Sequence, residues 1–166
     1  MFRAPYHESM AVTPVRFPSV FDRMVVAMVR LWTEHRGATV SARLSRHILK
    51  LLGLDWQPLS IGERLQMPHA TTGSVVHCKT RIGHDVTVFH GVTIGRADPW
   101  LASDLETEEG VVVEDGVVLG ANAVILFRQG ETVFVRTGTV IGAGAVLRQS
   151  TGPHEVWAGN PAVRVR

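Results

Sequence analysis

At 166 residues, 45% of them apolar and 19% charged, the chain can bury the core of one domain and is too apolar to be disordered. No apolar run reaches the roughly 18 residues of a membrane span. The N-terminal stretch lacks the apolar block and small-residue site of a secretory leader, so a cytoplasmic protein is expected. The one cysteine, Cys78, excludes an intrachain disulfide and fits a reducing compartment. The net charge of +2 reflects 17 basic and 15 acidic residues, and five of the acids crowd into ADPWLASDLETEEG (97–110), which has no Lys or Arg. The basic excess elsewhere suits an anionic ligand. It is scattered and lacks interleaved aromatics, which argues against nucleic acid.

In chain order, residues 1–19 read as an irregular arm with three prolines. SVFDRMVVAMVRLWTEH then spaces Phe21, Met24, Val25, Met28, Leu31 and Trp32 for a helix, with Ser19 as N-cap and Gly37 as its stop. A second helix is predicted from Ser41 to Leu52. Leu44, Ile48, Leu51 and Leu52 form its stripe, and Gly53 closes it. Both stripes are expected to pack on the end of the following domain or on a neighbouring subunit. Residues 1–53 therefore form an N-terminal unit and 54–166 the main domain.

From Leu54 a different period takes over. Val76, Ile82, Val88 and Ile94 fall six apart, then Val113, Leu119 and Ile125, then Val135, Ile141 and Leu147. A six-residue step scatters side chains around a helix but keeps them on one face of extended chain. The position two further on, which a flat strand would also bury, holds His84, His90 and Arg96. The sites four further on are small or β-branched: Thr80, Val86, Val92, Val117, Ala123, Thr139 and Ala145. Extended chain of this kind must turn a corner in every hexad, and three hexads per turn make a triangular solenoid. Two insertions break the count. One contains the acidic segment 97–110, and the other is FRQGETVF, four residues over; loops ejected from a rigid scaffold often carry function.

Among the histidines, His7, His35 and His47 read as surface residues of the arm and helices. The spacing of His77, His84 and His90 puts them on successive faces, so one chain is not expected to gather them around a metal. His69 differs: it stands in LQMPHATTGSVV, where the count is interrupted and a turn would present it.

The stretch DWQPLSIGERLQMPHATTGSVVHCKTRIGHDVTVFHGVTIG and the ending IGAGAVLRQSTGPHEVWAGNPAVRVR together resemble the hexapeptide-repeat acyltransferases, in their serine-acetyltransferase-like branch. The resemblance covers residues 54–166. It implies a left-handed parallel β-helix, acetyl-CoA as cosubstrate and a homotrimer with active sites between subunits. His69 matches the family's general base. Asp55 matches the aspartate that orients it, allowing one deleted residue between Pro58 and Ile61. An imidazole of ordinary pKa near 6.5 can take a hydroxyl's proton as the oxygen attacks, and a carboxylate behind it holds the tautomer. Gly95, Ala121 and Ala143 match small edge positions beside the pantetheine arm. Arg96 and Arg148 are expected phosphate partners, and His90 and Glu109 expected acceptor contacts.

The sequence departs from that family where the acceptor is held. Pro68 replaces the aspartate before the base, and Glu109 and Gly110 replace an arginine–histidine pair that grips the substrate. The helical region that pairs two trimers is cut to two helices. An acidic loop would repel a serine carboxylate, so a sugar or another small hydroxyl compound is the expected acceptor and serine the alternative. A solenoid kept only for binding, and a metal-dependent hydratase with zinc between subunits, are the readings from other classes.

Overall fold

The structure, a computed structural model, describes residues 19–36, 38–101 and 109–166. Helix α1 (Val20–His35) starts where Ser19 can cap it. The Ser19 hydroxyl accepts from the Asp22 amide at 3.0 Å, and the Asp22 carboxylate accepts from the Ser19 amide at 2.8 Å. The expected stop at Gly37 lies outside the described residues. Helix α2 (Val40–Leu51) is capped by Thr39, two residues before the predicted start, because its hydroxyl reaches the Ala42 amide at 3.2 Å.

α1 buries only part of its predicted stripe, and α2 buries a different side from the one that its stripe of Leu44, Ile48, Leu51 and Leu52 predicts. α1 buries Val25 and Val29 beside Asp22, and α2 buries Ala42, Ser45 and Leu49. Phe21, Met24, Leu44 and Leu51 stay exposed. The two helices pack on each other and α1 also leans on the turn Pro68–Thr71, which leaves those four side chains outside the packed sides. Arg30 donates to the Gly62 carbonyl, and Arg36 to that of Pro58 at 3.0 Å, pinning α1 to the first coil.

Short strands follow: β1 (Asp55–Trp56), β2 (Ser60–Ile61), β3 (Val75–Val76), β4 (Thr80–Ile82), β5 (Thr87–Val88), β6 (Thr93–Arg96) and β7 (Gly110–Val113). The rest are β8 (Val118–Leu119), β9 (Val124–Phe127), β10 (Thr132–Val135), β11 (Val140–Ile141), β12 (Val146–Leu147), β13 (Val156–Ala158) and β14 (Val163–Arg164). They form three sheets, in the orders β1-β3-β6-β9-β12, β10-β7-β4-β2 and β14-β13-β11-β8-β5. All pairs are parallel except β13 with β14. From β3 to β12 each sheet takes every third strand of the coil, which is the triangular prism the hexads demand.

Register shows why the count is six. Val76, Ile94, Ile125 and Leu147 stand side by side in the first sheet, Ile82, Val113 and Val135 in the second, and Val88, Leu119 and Ile141 in the third. All point into one core and none is more than 3% exposed. The small i+4 residues from Thr80 to Ala145 are buried at the corners. Corner crowding explains Gly120, whose missing Cβ would sit 2.7 Å from the Ala143 amide. The four-residue excess in FRQGETVF becomes a longer corner between β9 and β10.

Candidate active site

His69 sits on a left-handed turn between β2 and β3. Three consecutive residues there, His69, Ala70 and Thr71, have φ of 58°, 51° and 51°. For side chains with a Cβ this conformation costs roughly 1 kcal/mol or more apiece, so other contacts must hold it. The Thr71 hydroxyl donates to the Val88 carbonyl at 2.8 Å, the Ser74 hydroxyl to that of Thr71 at 2.6 Å, and Gly91 N–H to that of Thr72 at 2.9 Å. The fourth contact comes from α1: an Asp22 carboxylate oxygen accepts from the Ala70 amide at 2.7 Å. The turn thus fastens His69 to the prism while leaving its side chain exposed.

Beside it stands His90, its ring edge-on to that of His69 with centroids 5.8 Å apart. His90 is half-buried, and its Nδ1 is enclosed without a hydrogen-bond partner among the described residues. The same edge continues upward by main-chain bonds, Asn122 N–H to the His90 carbonyl at 2.9 Å and Gly144 N–H to that of Ala121 at 2.8 Å. His69, His90, Ala121 and Ala143 therefore share one edge of the prism, at the entry to the first sheet. Gly91 makes the edge tight: its φ is +69°, and a Cβ there would run into the Asn122 side-chain oxygen.

Gly95, Arg96 and Arg148 lie at the far ends of the strands of that sheet, after Ile94 and Leu147. Among the described residues nothing lies within 4 Å of where a Gly95 Cβ would stand. Arg148 is exposed. Arg96 is not presented as expected: its side chain is 7% exposed, with Nη2 3.2 Å from an Asp98 carboxylate oxygen. Asp98 in turn accepts from the Gln129 amide at 3.0 Å. That pairing turns the guanidinium toward Asp98, while its buried Nη2 makes no hydrogen bond among the described residues.

Glu109 departs further from its expected role as an acceptor contact. Its side chain is fully buried, paired with Lys79 at 3.1 Å and accepting from the Gly130 amide at 2.8 Å. Burial alone would raise its pKa, but the Gly130 amide and the Lys79 ammonium outweigh this and hold it below the usual carboxylate range. Nearby, burial and then the charges of Arg96 and Lys79 push the His77 imidazole below its ordinary value. Asp104, Glu106 and Glu108 of the acidic segment lie outside the described residues.

Asp55 does not hydrogen-bond His69. Its carboxylate accepts from the Gln57 side chain at 3.1 Å, because residues i and i+2 of a strand share a face and Gln57 is the nearest donor. A second carboxylate, Asp22, to which the sequence did not point, bonds the turn itself at the Ala70 amide. Burial opposes its ionisation, yet the Ser19 hydroxyl, the Ser19 and Ala70 amides and the charge of His69 together hold its pKa below the usual range. The Ser19–Asp22 spacing was a signal for the cap; nothing in it points to Ala70. His77, packed edge-on against Phe127, and His84, accepting from the Glu63 amide, stand at other corners. Among the described residues no three His, Cys, Asp or Glu side chains gather as a metal site would require.

The chain closely follows proteins of known kind. It is 35% identical to the serine acetyltransferase of Mycobacterium tuberculosis over 57% of its own length and 40% of that protein's. It is 32% identical to serine acetyltransferase 2 of Arabidopsis thaliana over 82% of its length and 39% of that protein's. Soybean serine acetyltransferase superposes with a TM-score of 0.67 and 26% identity, over 86% of this chain and 56% of that one. No family model matches the chain. The fold defined by the three sheets is the left-handed β-helix of hexapeptide-repeat transferases. Within that class the chain is similar to serine acetyltransferases, and it spans only about two fifths of the length of these curated relatives.

Proposed function

We propose that the protein is an acetyl-CoA-dependent O-acetyltransferase, that serine is its acceptor, and that it works as a homotrimer with His69 as general base. The observation that carries this reading is the presentation of His69. It is exposed on a constrained turn, next to His90, at the foot of an edge lined with Ala121 and Ala143. In this reading the edge faces a neighbouring subunit and the pantetheine arm runs along its small residues. Arg148 is the phosphate partner better placed to meet solvent, and His90 flanks the acceptor.

The chemistry is direct transfer. The acceptor oxygen attacks the thioester carbonyl while its proton passes to the His69 imidazole. The tetrahedral adduct then expels the CoA sulfur, which takes the proton back from the imidazolium. No enzyme-bound acyl group is formed.

The acceptor assignment changes from the sugar that the sequence suggested. That expectation rested on an acidic loop facing the substrate, and its key residue, Glu109, is neutralised by Lys79 inside the protein. The relatives that cover most of this chain are serine acetyltransferases, which favours serine. The test is CoA release from acetyl-CoA with L-serine, beside a panel of sugars and small hydroxyl and amine compounds. Serine-dependent release supports the reading. Release with a sugar and not with serine overturns the acceptor, and release with none leaves a binding scaffold.

A further inference from the structure

We propose that Asp22 is a positioning residue for His69: the first turn of α1 reaches across 48 residues of sequence to clamp the left-handed turn that presents the imidazole. The inference rests on the acyl-transfer reading above for its kinetic arm only.

Three observations carry it. The clamped amide belongs to Ala70, the residue directly after His69, so the bond fixes the peptide plane at the base of the imidazole's own backbone. Both partners are buried, Asp22 at 6% and Ala70 at 2% exposure, so water does not substitute for the bond. The turn is also the one place in the described chain where three successive non-glycine residues hold positive φ. Such backbone persists only where neighbours over-determine it.

Asp22 is equipped for the task. One carboxylate oxygen is tied to the Ser19 amide at 2.8 Å and the other to the Ala70 amide at 2.7 Å, so helix cap and catalytic turn share a single group. The helix thereby sets the height and direction of His69 over the edge. This gives the short N-terminal unit a function beyond packing: without α1 in place, the solenoid would have its histidine but not the aim of it. Displacing a catalytic group by about 1 Å can cost on the order of 100-fold in rate.

The test compares Asp22→Ala, Asp22→Asn and Ser19→Ala in the full chain, by steady-state CoA release and by amide exchange at Ala70. Asp22→Ala is expected to speed Ala70 exchange roughly tenfold and lower kcat roughly tenfold or more, with the KM for acetyl-CoA within about twofold. Asp22→Asn keeps an acceptor oxygen for Ala70 and is expected to restore most of both. Ser19→Ala weakens the helix cap without touching the Ala70 bond. It should lower Tm yet leave Ala70 exchange and kcat near wild type, a split that a purely structural role would not produce. If the alanine variant does not fold, Asp22→Ser replaces it, since its hydroxyl stops one bond short of the Ala70 amide. The proposal is overturned if Ala70 stays as protected without the carboxylate, or if kcat falls no further than in Ser19→Ala. A wild-type protein inactive with every acceptor would sink the acyl-transfer reading, while the exchange comparison would still decide the clamp.

Discussion

Two groups of polar residues compete for the role of active site, and the structure treats them in opposite ways. At the base of the acidic segment, Lys79, Glu109, Arg96 and Asp98 are drawn inward, each charge matched by an opposite one, with the Gly130 and Gln129 amides bonded to the two carboxylates. At the edge, His69 is exposed and His90 keeps an enclosed nitrogen without a partner among the described residues. The first group spends its carboxylates on holding the ends of a long insertion together, with the Arg96 Nη2 left unbonded among the described residues. The second holds its capacity open and places the constraint in the backbone beneath. Charged residues in a loop suggested function from sequence, yet the two groups differ in exposure: the loop charges are paired inside the protein, and His69 stands outside it.

Each side of that contrast can be broken separately. His69→Ala should reduce CoA release by about 10²–10⁴-fold, the usual contribution of a general base, with Tm unchanged; equal rates would remove the edge from the mechanism. Lys79→Met strands a buried carboxylate and should cost about 3 kcal/mol of stability, read as a fall in denaturant midpoint. Folded enzyme should keep its KM values, and the reverse pattern would make the cluster functional. Arg148→Ala should raise the KM for acetyl-CoA about tenfold through loss of one charge-assisted bond, while Arg96→Ala changes it less than about twofold. The smallest effect is acid sensitivity. The Glu109 carboxyl titrates below its unfolded value of 4.5, so its stabilisation is complete above that pH and disappears as pH falls through the folded value. Glu109→Gln should therefore flatten the acid limb of a Tm-against-pH curve, and an unchanged limb would show that the pair contributes nothing there.

The fold was legible because a six-residue period leaves few solutions. Val76, Ile94, Ile125 and Leu147 had to share a face, and the register places them side by side. The helices were legible in position, since Ser19 and Thr39 cap them by local bonds. Their buried sides were not, because which stripe is covered depends on where the prism and the paired helix lie. As a candidate for the proposed site, His69 could be picked out from its interrupted hexad and its resemblance to known relatives. Asp22 could not, as its decisive bond spans 48 residues. Glu109 was misassigned for a related reason: sequence shows a charge but not the lysine thirty residues away that cancels it.

The central claim is that the chemistry happens at the bare edge and not at the paired cluster. A crystal structure with CoA bound tests it most directly. The expected complex has the sulfur beside His69 and His90, the pantetheine arm against Ala121 and Ala143 between two chains, and Glu109 still buried on Lys79. CoA lodged against an opened Lys79–Glu109 pair, with its sulfur remote from His69, would contradict it.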